Sequence, residues 1–566
     1  MKDNYSLADS LPEGCLVPQD CQPDYFDNNQ YGFLALNGLV NAGYQLADAH
    51  VAAGRGELTA AIHADSGATY TFSQLATQSG CLAAGLVRLG VCKGDRIAYC
   101  TPNDPLALIV MLGVWKSGAI LVPIPANSKR AEIEFYIEDT QPRFIFAHAR
   151  SGVIPVLEGL VEANKVEKIF TFGEGHEDLS LPSWSLVSVC DEDFCADVHP
   201  DQPAIIWHTG GTTGKPKGCY HTHKRFIWAG LSFGQGAGVG TGQRWAAAAP
   251  IGHALGIIHS TIFVILNGAT VVFVEKFSDA KVLMKAVDDY RITTLTALMV
   301  TWGKMAEVLK GGALWNGSSL TRCFAMWQTA TSAGVFEYWY ERGVELLNNF
   351  GSTSFANWIL IPPLGIDSPR YALGKPQVGY QVEAVELVGG LVRILPRGEI
   401  GRLAVKGLSG LTYWNLPDMQ SRDVVDGWTV CDDLIRFDEQ GFAHYLGRSD
   451  YLISTAGFKV APAEVEQVLS RHPAVLEVSV VPAPCPIRQE LVAAFVVLNT
   501  TVIDRERLKR ELKELVSTEL SSYKTPRRIE FISALPRDNV GKVQTKIVKQ
   551  WANALSEQAV PHEGKQ

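Results

Sequence analysis

Between residues 71 and 123 the sequence switches repeatedly between two periods, and that switching leaves few architectures open to the chain. Residues 72–89 place apolar side chains at helical spacing, 96–99 form an apolar strand, 105–116 a second helix and 120–123 a second strand. Strand, helix and strand in that order predict a parallel sheet with helices laid on its faces. The rhythm recurs between 244 and 301, where strands at 269–274 and 293–298 flank a helix at 280–289. A chain of 566 residues, 47% of them apolar, is too long for one core and has the apolar content to fill two or more.

Beyond Ala384 the texture changes to short strands punctuated by glycine, as in VELVGGLVRILPRGEIGRLAVKG, which predicts a β-rich subdomain. A second change comes at GRSDY, residues 447–451, read here as a linker. After it, strands at 475–481 and 491–498 precede a helix with Leu508, Leu512, Leu515, Val516 and Leu520 on one stripe, then a strand at 528–531. The expected organisation is a large N-terminal α/β domain over residues 1–447, containing the β-rich subdomain, and a small α+β domain over 448–566.

The segment most suggestive of chemistry follows the apolar residues Ala204, Ile205, Ile206 and Trp207. There the chain is expected to leave a sheet edge at His208 and enter TGGTTGKPKG, residues 209–218. Glycines let successive N–H groups converge on an anion, while threonine hydroxyls and the Lys215 and Lys217 ammonium groups add donors and charge. The same composition also suits a flexible surface turn. The Walker pattern does not fit, since Pro216 follows Lys215 and Thr209 stands where the first glycine belongs. Gly234, Gly236, Gly238, Gly240 and Gly242 alternate with single residues, which reads as a mobile loop rather than a dinucleotide fingerprint.

A net charge of −9 with dispersed lysines and arginines argues against nucleic acid as a partner. Eleven scattered cysteines without a CxxC pair fit reduced thiols in a cytoplasm. Cys190 and Cys195 lack a second pair or a histidine cluster to complete a zinc site. The N-terminal MKDNYSLADSLPEG has neither basic head nor apolar core, so no secretion signal is expected. Apolar runs at 106–115 and 261–266 are interrupted by Lys116 and Asn267 before reaching membrane-spanning length, and no membrane partner is expected. Oligomeric state is not legible.

Five landmarks then occur in order: TGGTTGKPKG, FGSTS at 350–354, WTVCDD at 428–433, GRSDYLISTAGFKVAPAEVE at 447–466 and LPRDNVGKVQTK at 535–546. In order and approximate spacing they resemble the adenylate-forming enzymes, the acyl- and aryl-CoA synthetase superfamily, over nearly the whole chain. The segments NAGYQLADAHVAAGRG, HTH, YWNLPD and YKTPRRIEF most resemble the benzoate-CoA and 2-aminobenzoate-CoA ligase branch. The resemblance implies ATP and coenzyme A as co-substrates with Mg²⁺, and a two-step reaction. A carboxylate attacks the α-phosphate of ATP to give acyl-AMP and pyrophosphate, and a thiol then displaces AMP; the alternatives are transfer to a carrier-protein thiol and a catalytically impaired nucleotide-binding relative.

It also implies residue roles. Thr209, Gly210, Gly211, Thr212, Thr213, Gly214 and Lys217 would hold the β- and γ-phosphates. Phe350 would pack on adenine, Gly351, Ser352 and Thr353 would approach the nucleotide closely, and Asp432 would accept from the ribose hydroxyls with Arg448 assisting. Read singly, Phe350 is a core aromatic and Asp432 a turn acid. Lys542 would bridge the substrate carboxylate and the α-phosphate, where negative charge concentrates. The small domain carrying it must therefore be mobile, with Asp450 at the hinge and Gly457 lining the thiol channel. His253 matches a histidine near the acid carboxylate, although it reads equally well as a hydrogen-bonded core histidine.

Two departures from the family pattern bear on chemistry. Gly210 stands where the family usually has serine, and Ser354 where it usually has the glutamate that helps hold Mg²⁺; a hydroxyl is a poorer magnesium ligand. Smaller departures are Tyr451 for an acid and Asp538 for a threonine. Counting back from FGSTS, the family's Ser-Ala-Gly stretch falls on Ala325, Met326 and Trp327; the literal Ser332-Ala333-Gly334 fits only with a shorter following helix. The expected acid pocket is therefore His253, Met326, Trp327, Gly351, Asn357 and Trp358, with Trp327 and Asn357 favouring a small or differently oriented acid.

Overall fold

The structure, a computed structural model, describes residues 11, 15–26, 31–163, 165–179, 181–188, 193–209, 216–326, 333–369, 371–455, 458–485, 488–499, 504–537 and 543–557. Two large sheets form the body of the chain. One has six strands in the order Lys168–Phe172, Phe144–His148, Arg96–Thr101, Ile120–Pro125, Pro203–Thr209 and Lys217–Thr222, parallel except for the last pair. The other has seven, ordered Glu345–Leu347, Arg322–Met326, Thr294–Leu298, Arg244–Ala247, Thr270–Phe273, Thr59–His63 and Thr69–Thr71, again parallel except for the last pair.

Helices Phe72–Arg88, Leu106–Lys116 and His223–Ala237 join these sheets in one apolar core that includes Trp115, Ile205, Trp207, Phe226, Val271 and Phe324. The first helix starts where it does because Thr71 and Gln74 form a capping box, the Gln74 N–H donating to Thr71 Oγ1 at 3.2 Å and the Thr71 N–H to Gln74 Oε1 at 2.8 Å. Asp279 caps Ala280–Asp289 by accepting from the N–H groups of Lys281 and Val282. Lys116, which interrupts an apolar run, is itself buried. Its ammonium lies 2.6 Å from Asp48 Oδ2 and donates to the Ala76 carbonyl at 2.8 Å, so the helix it ends is core on every side. No described helix is long and apolar enough to cross a membrane.

The β-rich part begins at Tyr380. Leu391–Ile394, Tyr380–Val388, Gly401–Gly407, Trp428–Phe437 and Val424–Val425 form one antiparallel sheet, with Ala443–Arg448 paired to Trp428–Phe437. A further five-stranded sheet with its own core contains Phe458–Val460, Ile453–Thr455, Gln489–Leu498, Val475–Cys485 and Arg528–Ile532, packed by Pro462–Leu469 and Arg505–Glu519. Leu508, Leu512 and Val516 are the buried positions of that last helix, as its apolar stripe predicts.

Two expectations are corrected. The Pro203–Thr209 strand runs past His208 to Thr209 and pairs antiparallel with Lys217–Thr222, so the glycine-rich segment joins two paired strands. The β-formers Tyr220 and Thr222 suit the returning strand. Gly234 and Gly236 are not in a loop but inside His223–Ala237, which ends only at Gly238 with φ +67°. A Cβ on either would come within 2.0 Å of Asn267 or Gln377, so the glycines record close packing. In the segment expected to link the two domains, Gly447 and Arg448 belong to a paired strand and Ser449–Tyr451 to a short 3₁₀ turn.

Candidate active site

Antiparallel pairing sets Thr209 opposite Lys217 and His208 opposite Gly218, so Lys217 stands at the mouth of the hairpin. Gly218 suits this position because a Cβ would sit only 3.0 Å from Asp139 and from Trp414. Lys217 lines a cavity of about 2370 Å³. Burial, reinforced by the neighbouring Arg422 guanidinium, holds its ammonium below the ordinary lysine value, and Asp423 and Asp432 oppose that pull. Gly210, Gly211, Thr212, Thr213, Gly214 and Lys215 lie outside the described residues, as does the side chain of Thr209.

The facing wall is the turn between Phe350–Ser352 and Asn357–Ile361. Glycine is required at 351, where a Cβ would fall 2.2 Å from the Asn357 carbonyl. Phe350, Gly351, Ser352, Thr353, Ser354, Asn357 and Trp358 all line the cavity. Phe350 is 9% exposed and tilts 31° against Tyr445, whose hydroxyl donates to Asp433 Oδ1 at 3.0 Å. Asn357 and Trp358 are buried, and Trp358 packs on His259 at 4.5 Å and Phe324 at 4.9 Å. His253 caps Ala254–Ser260, its Nδ1 accepting from the Leu255 N–H at 3.3 Å while the ring also borders the cavity. This histidine is thus a helix cap that also faces the cavity.

Asp432 projects from Trp428–Phe437 between two arginines. Its Oδ1 accepts from Arg402 Nη2 at 3.0 Å and its Oδ2 from Arg448 Nη2 at 3.2 Å. Arg402 comes from the neighbouring strand Gly401–Gly407, and no local sequence signal marks it; only strand pairing brings it to Asp432. Arg422, also missed by the sequence, forms a bidentate pair with Asp423 at 2.6 and 2.7 Å, and the Tyr413 hydroxyl donates to that carboxylate at 2.9 Å.

Residues after 448 complete the cavity: Pro462, Ala463, Glu466, Arg537, Val543 and Lys546. Arg537 and Val543 pair with one another on either side of 538–542, the segment that holds Lys542 and lies outside the described residues. Glu466 is 4% exposed and accepts from the Val480 N–H at 2.7 Å; burial pushes its carboxyl up to about 7. Trp327, Ser332 and Gly457, with the side chains of Met326 and Asp450, also fall outside the description. Gly334, in the helix Ala333–Tyr340, borders the cavity.

A cavity of about 2370 Å³ exceeds the roughly 300–1,000 Å³ of an ordinary small-ligand pocket. It has room for a nucleotide, a second substrate and a path for a third. Cations at one end, an aromatic wall and a doubly held carboxylate are the parts needed to grip phosphates, a base and a ribose.

Comparison with known proteins points the same way. Residues 49–413 match the AMP-binding enzyme family and residues 464–542 the AMP-binding enzyme C-terminal domain. The chain is 30% identical over 524 residues to benzoate–CoA ligase of Thauera aromatica, covering 89% of this chain and 94% of that protein. It is 28% identical over 494 residues to fatty acid–[acyl-carrier-protein] ligase ScoC of Streptomyces coeruleorubidus, covering 84% of this chain and 90% of the other. Among solved structures, the anthranilate CoA ligase AuaEII in complex with anthranoyl-AMP superposes with a TM-score of 0.82 at 25% identity, covering 92% of this chain and 99% of that one.

Proposed function

This chain belongs to the AMP-binding enzymes, an adenylate-forming ligase, and from that premise we propose that it joins an aromatic or small cyclic or short-chain carboxylic acid to coenzyme A through an acyl-AMP intermediate. The observation that carries this reading is the single cavity shared by Lys217, the 350–358 turn, the Arg402–Asp432–Arg448 cluster and the residues flanking 538–542. Lys217 with the 209–214 segment takes the β- and γ-phosphates, Phe350 the adenine and Asp432 the ribose. Lys542 supplies the positive charge that offsets two approaching anions as the carboxylate attacks the α-phosphate. His253 lies on the acid side, with Asn357 and Trp358 as pocket wall. The small domain beyond Asp450 turns about that residue after adenylation, withdrawing Lys542 and presenting Gly457 to the thiol.

Magnesium reaches this site on the nucleotide. Ser354 offers only a hydroxyl, and the carboxylates acting on Lys217, Asp423 and Asp432, are each held by arginines. The donor set therefore suits an ion held chiefly by ATP phosphates and water.

Likeness to a fatty acid–[acyl-carrier-protein] ligase supports a second reading, in which the acceptor is a carrier-protein thiol. Incubation with ATP, Mg²⁺ and a panel of benzoates, aminobenzoates and short acids, with either coenzyme A or a phosphopantetheinylated carrier, separates the two by mass spectrometry. Acyl-CoA formation is the expected product. Acylation of the carrier alone would establish the second reading, and neither product with any acid would overturn both.

A further inference from the structure

Trp207 and His221 stand on the two strands of the hairpin and on the same face, Trp207 opposite Cys219 and His221 opposite Ile205, with rings 5.2 Å apart. Both aim at one atom. Trp207 Nε1 donates to the Thr353 carbonyl at 3.2 Å, and His221 Nε2 lies 2.8 Å from the same oxygen. A carbonyl has two lone pairs and only accepts, so His221 must carry its proton on Nε2, and the two donors fill the oxygen's capacity. His221 is 2% exposed, and burial holds its imidazole down to about 4, so the ring stays neutral through the physiological range.

Thr353 sits between Ser352 and Ser354 in the turn facing the hairpin mouth and borders the cavity together with Trp207. His221 does not border it. Whatever His221 does for a ligand it does through the Thr353 carbonyl. Without the His221 donor, the turn 132 residues away would keep only the Trp207 bond of the two that tie its carbonyl to the hairpin.

We infer that His221 and Trp207 are positioning residues, a two-donor fork that fixes the phosphate-binding hairpin at a set distance from the nucleotide-facing turn. The inference rests on the adenylation reading for the identity of the ligand. Its mechanical content is that ATP, which must touch both segments at once, is bound well only when the fork is closed.

The test uses the full chain with His221→Phe, which keeps a ring but removes the donor, His221→Gln, which restores one, and Trp207→Phe, which removes the other arm. ATP affinity is measured by titration calorimetry, KM values for ATP and acid by acid-dependent pyrophosphate exchange, and folding by thermal unfolding. Loss of one buried hydrogen bond is worth about a tenfold change. His221→Phe and Trp207→Phe should each weaken ATP about tenfold in both assays with the KM for acid within about twofold, and His221→Gln should recover most of that loss. Unchanged ATP affinity in a folded His221→Phe or Trp207→Phe, a parallel rise in both KM values, or failure of the glutamine to rescue would each overturn the fork. If His221→Phe does not fold, Trp207→Phe and His221→Gln decide by the same criteria. A wild-type protein that binds ATP but exchanges no pyrophosphate would refute adenylation while leaving the fork testable by calorimetry; one that binds no ATP would refute both.

Discussion

The Asp432 carboxylate accepts from the Arg448 guanidinium at 3.2 Å through Oδ2, which leaves Oδ1 to Arg402 at 3.0 Å. Each carboxylate oxygen has capacity for about one further donor. Two flanking cations thus aim an anionic acceptor into the cavity without exhausting it, which suits a pair of vicinal hydroxyls.

Replacement of Asp432 by alanine should raise the KM for ATP about 10- to 100-fold, the loss expected for hydrogen bonds to a charged group of roughly 1.5–3 kcal/mol. Arg402→Met should cost less, about tenfold, because Arg448 still orients the carboxylate. Steady-state kinetics at saturating acid checks both, and an unaltered KM for ATP in Asp432→Ala would remove this residue from the nucleotide site.

Lys217 gives a pH dependence with a definite sign. Its ammonium is held below the ordinary lysine value by burial and by Arg422, so in the free enzyme the charge is lost at a lower pH than for an exposed lysine. Phosphate binding needs the charge. The kcat/KM for ATP should therefore fall on an alkaline limb lying below the usual lysine range, and Lys217→Arg should move that limb upward out of the accessible window. A limb that stays in place in Lys217→Arg would assign it to another group.

Lys542→Ala should cut acyl-AMP formation by roughly two to three orders of magnitude, the scale of a lost transition-state charge contact. Thioester formation from supplied acyl-AMP should suffer far less. Equal loss in the two half-reactions, followed by rapid quench, would contradict the assignment.

Glu466 makes stability depend on pH. Its folded-state carboxyl is raised to about 7 from 4.5, so the folded protein retains a proton that the unfolded chain releases. Its contribution is complete below the unfolded value, declines as pH rises from about 4.5 to about 7, and is flat beyond. Glu466→Gln, which can still accept from Val480, should remove that decline and gain up to about 3 kcal/mol over wild type at pH 8 relative to pH 4. Urea unfolding at the two pH values measures it, and parallel pH dependence in both proteins would refute it.

Much of this architecture is legible in the sequence, and the limits have physical causes. The helix Ala280–Asp289 matches its expected bounds because Asp279 caps it and its apolar face is periodic, both local properties. Gly234 and Gly236 mislead because they lie inside a helix packed closely against the Asn267 and Gln377 side chains, not in a turn. Within the site, Lys217, Phe350, Asp432 and His253 carry motif signals and converge on one cavity. Arg402 and the fork at Thr353 carry none, since their partners are supplied by strand register and by contacts 132 and 146 residues apart.

Adenylation is the central claim, and acid-dependent exchange of labelled pyrophosphate into ATP, run without any thiol, measures it directly. The account predicts exchange that appears only with a suitable carboxylic acid and Mg²⁺, that needs no coenzyme A, and that collapses in Lys542→Ala. Absence of exchange with every acid of the panel, from a folded protein shown to bind ATP, would contradict it.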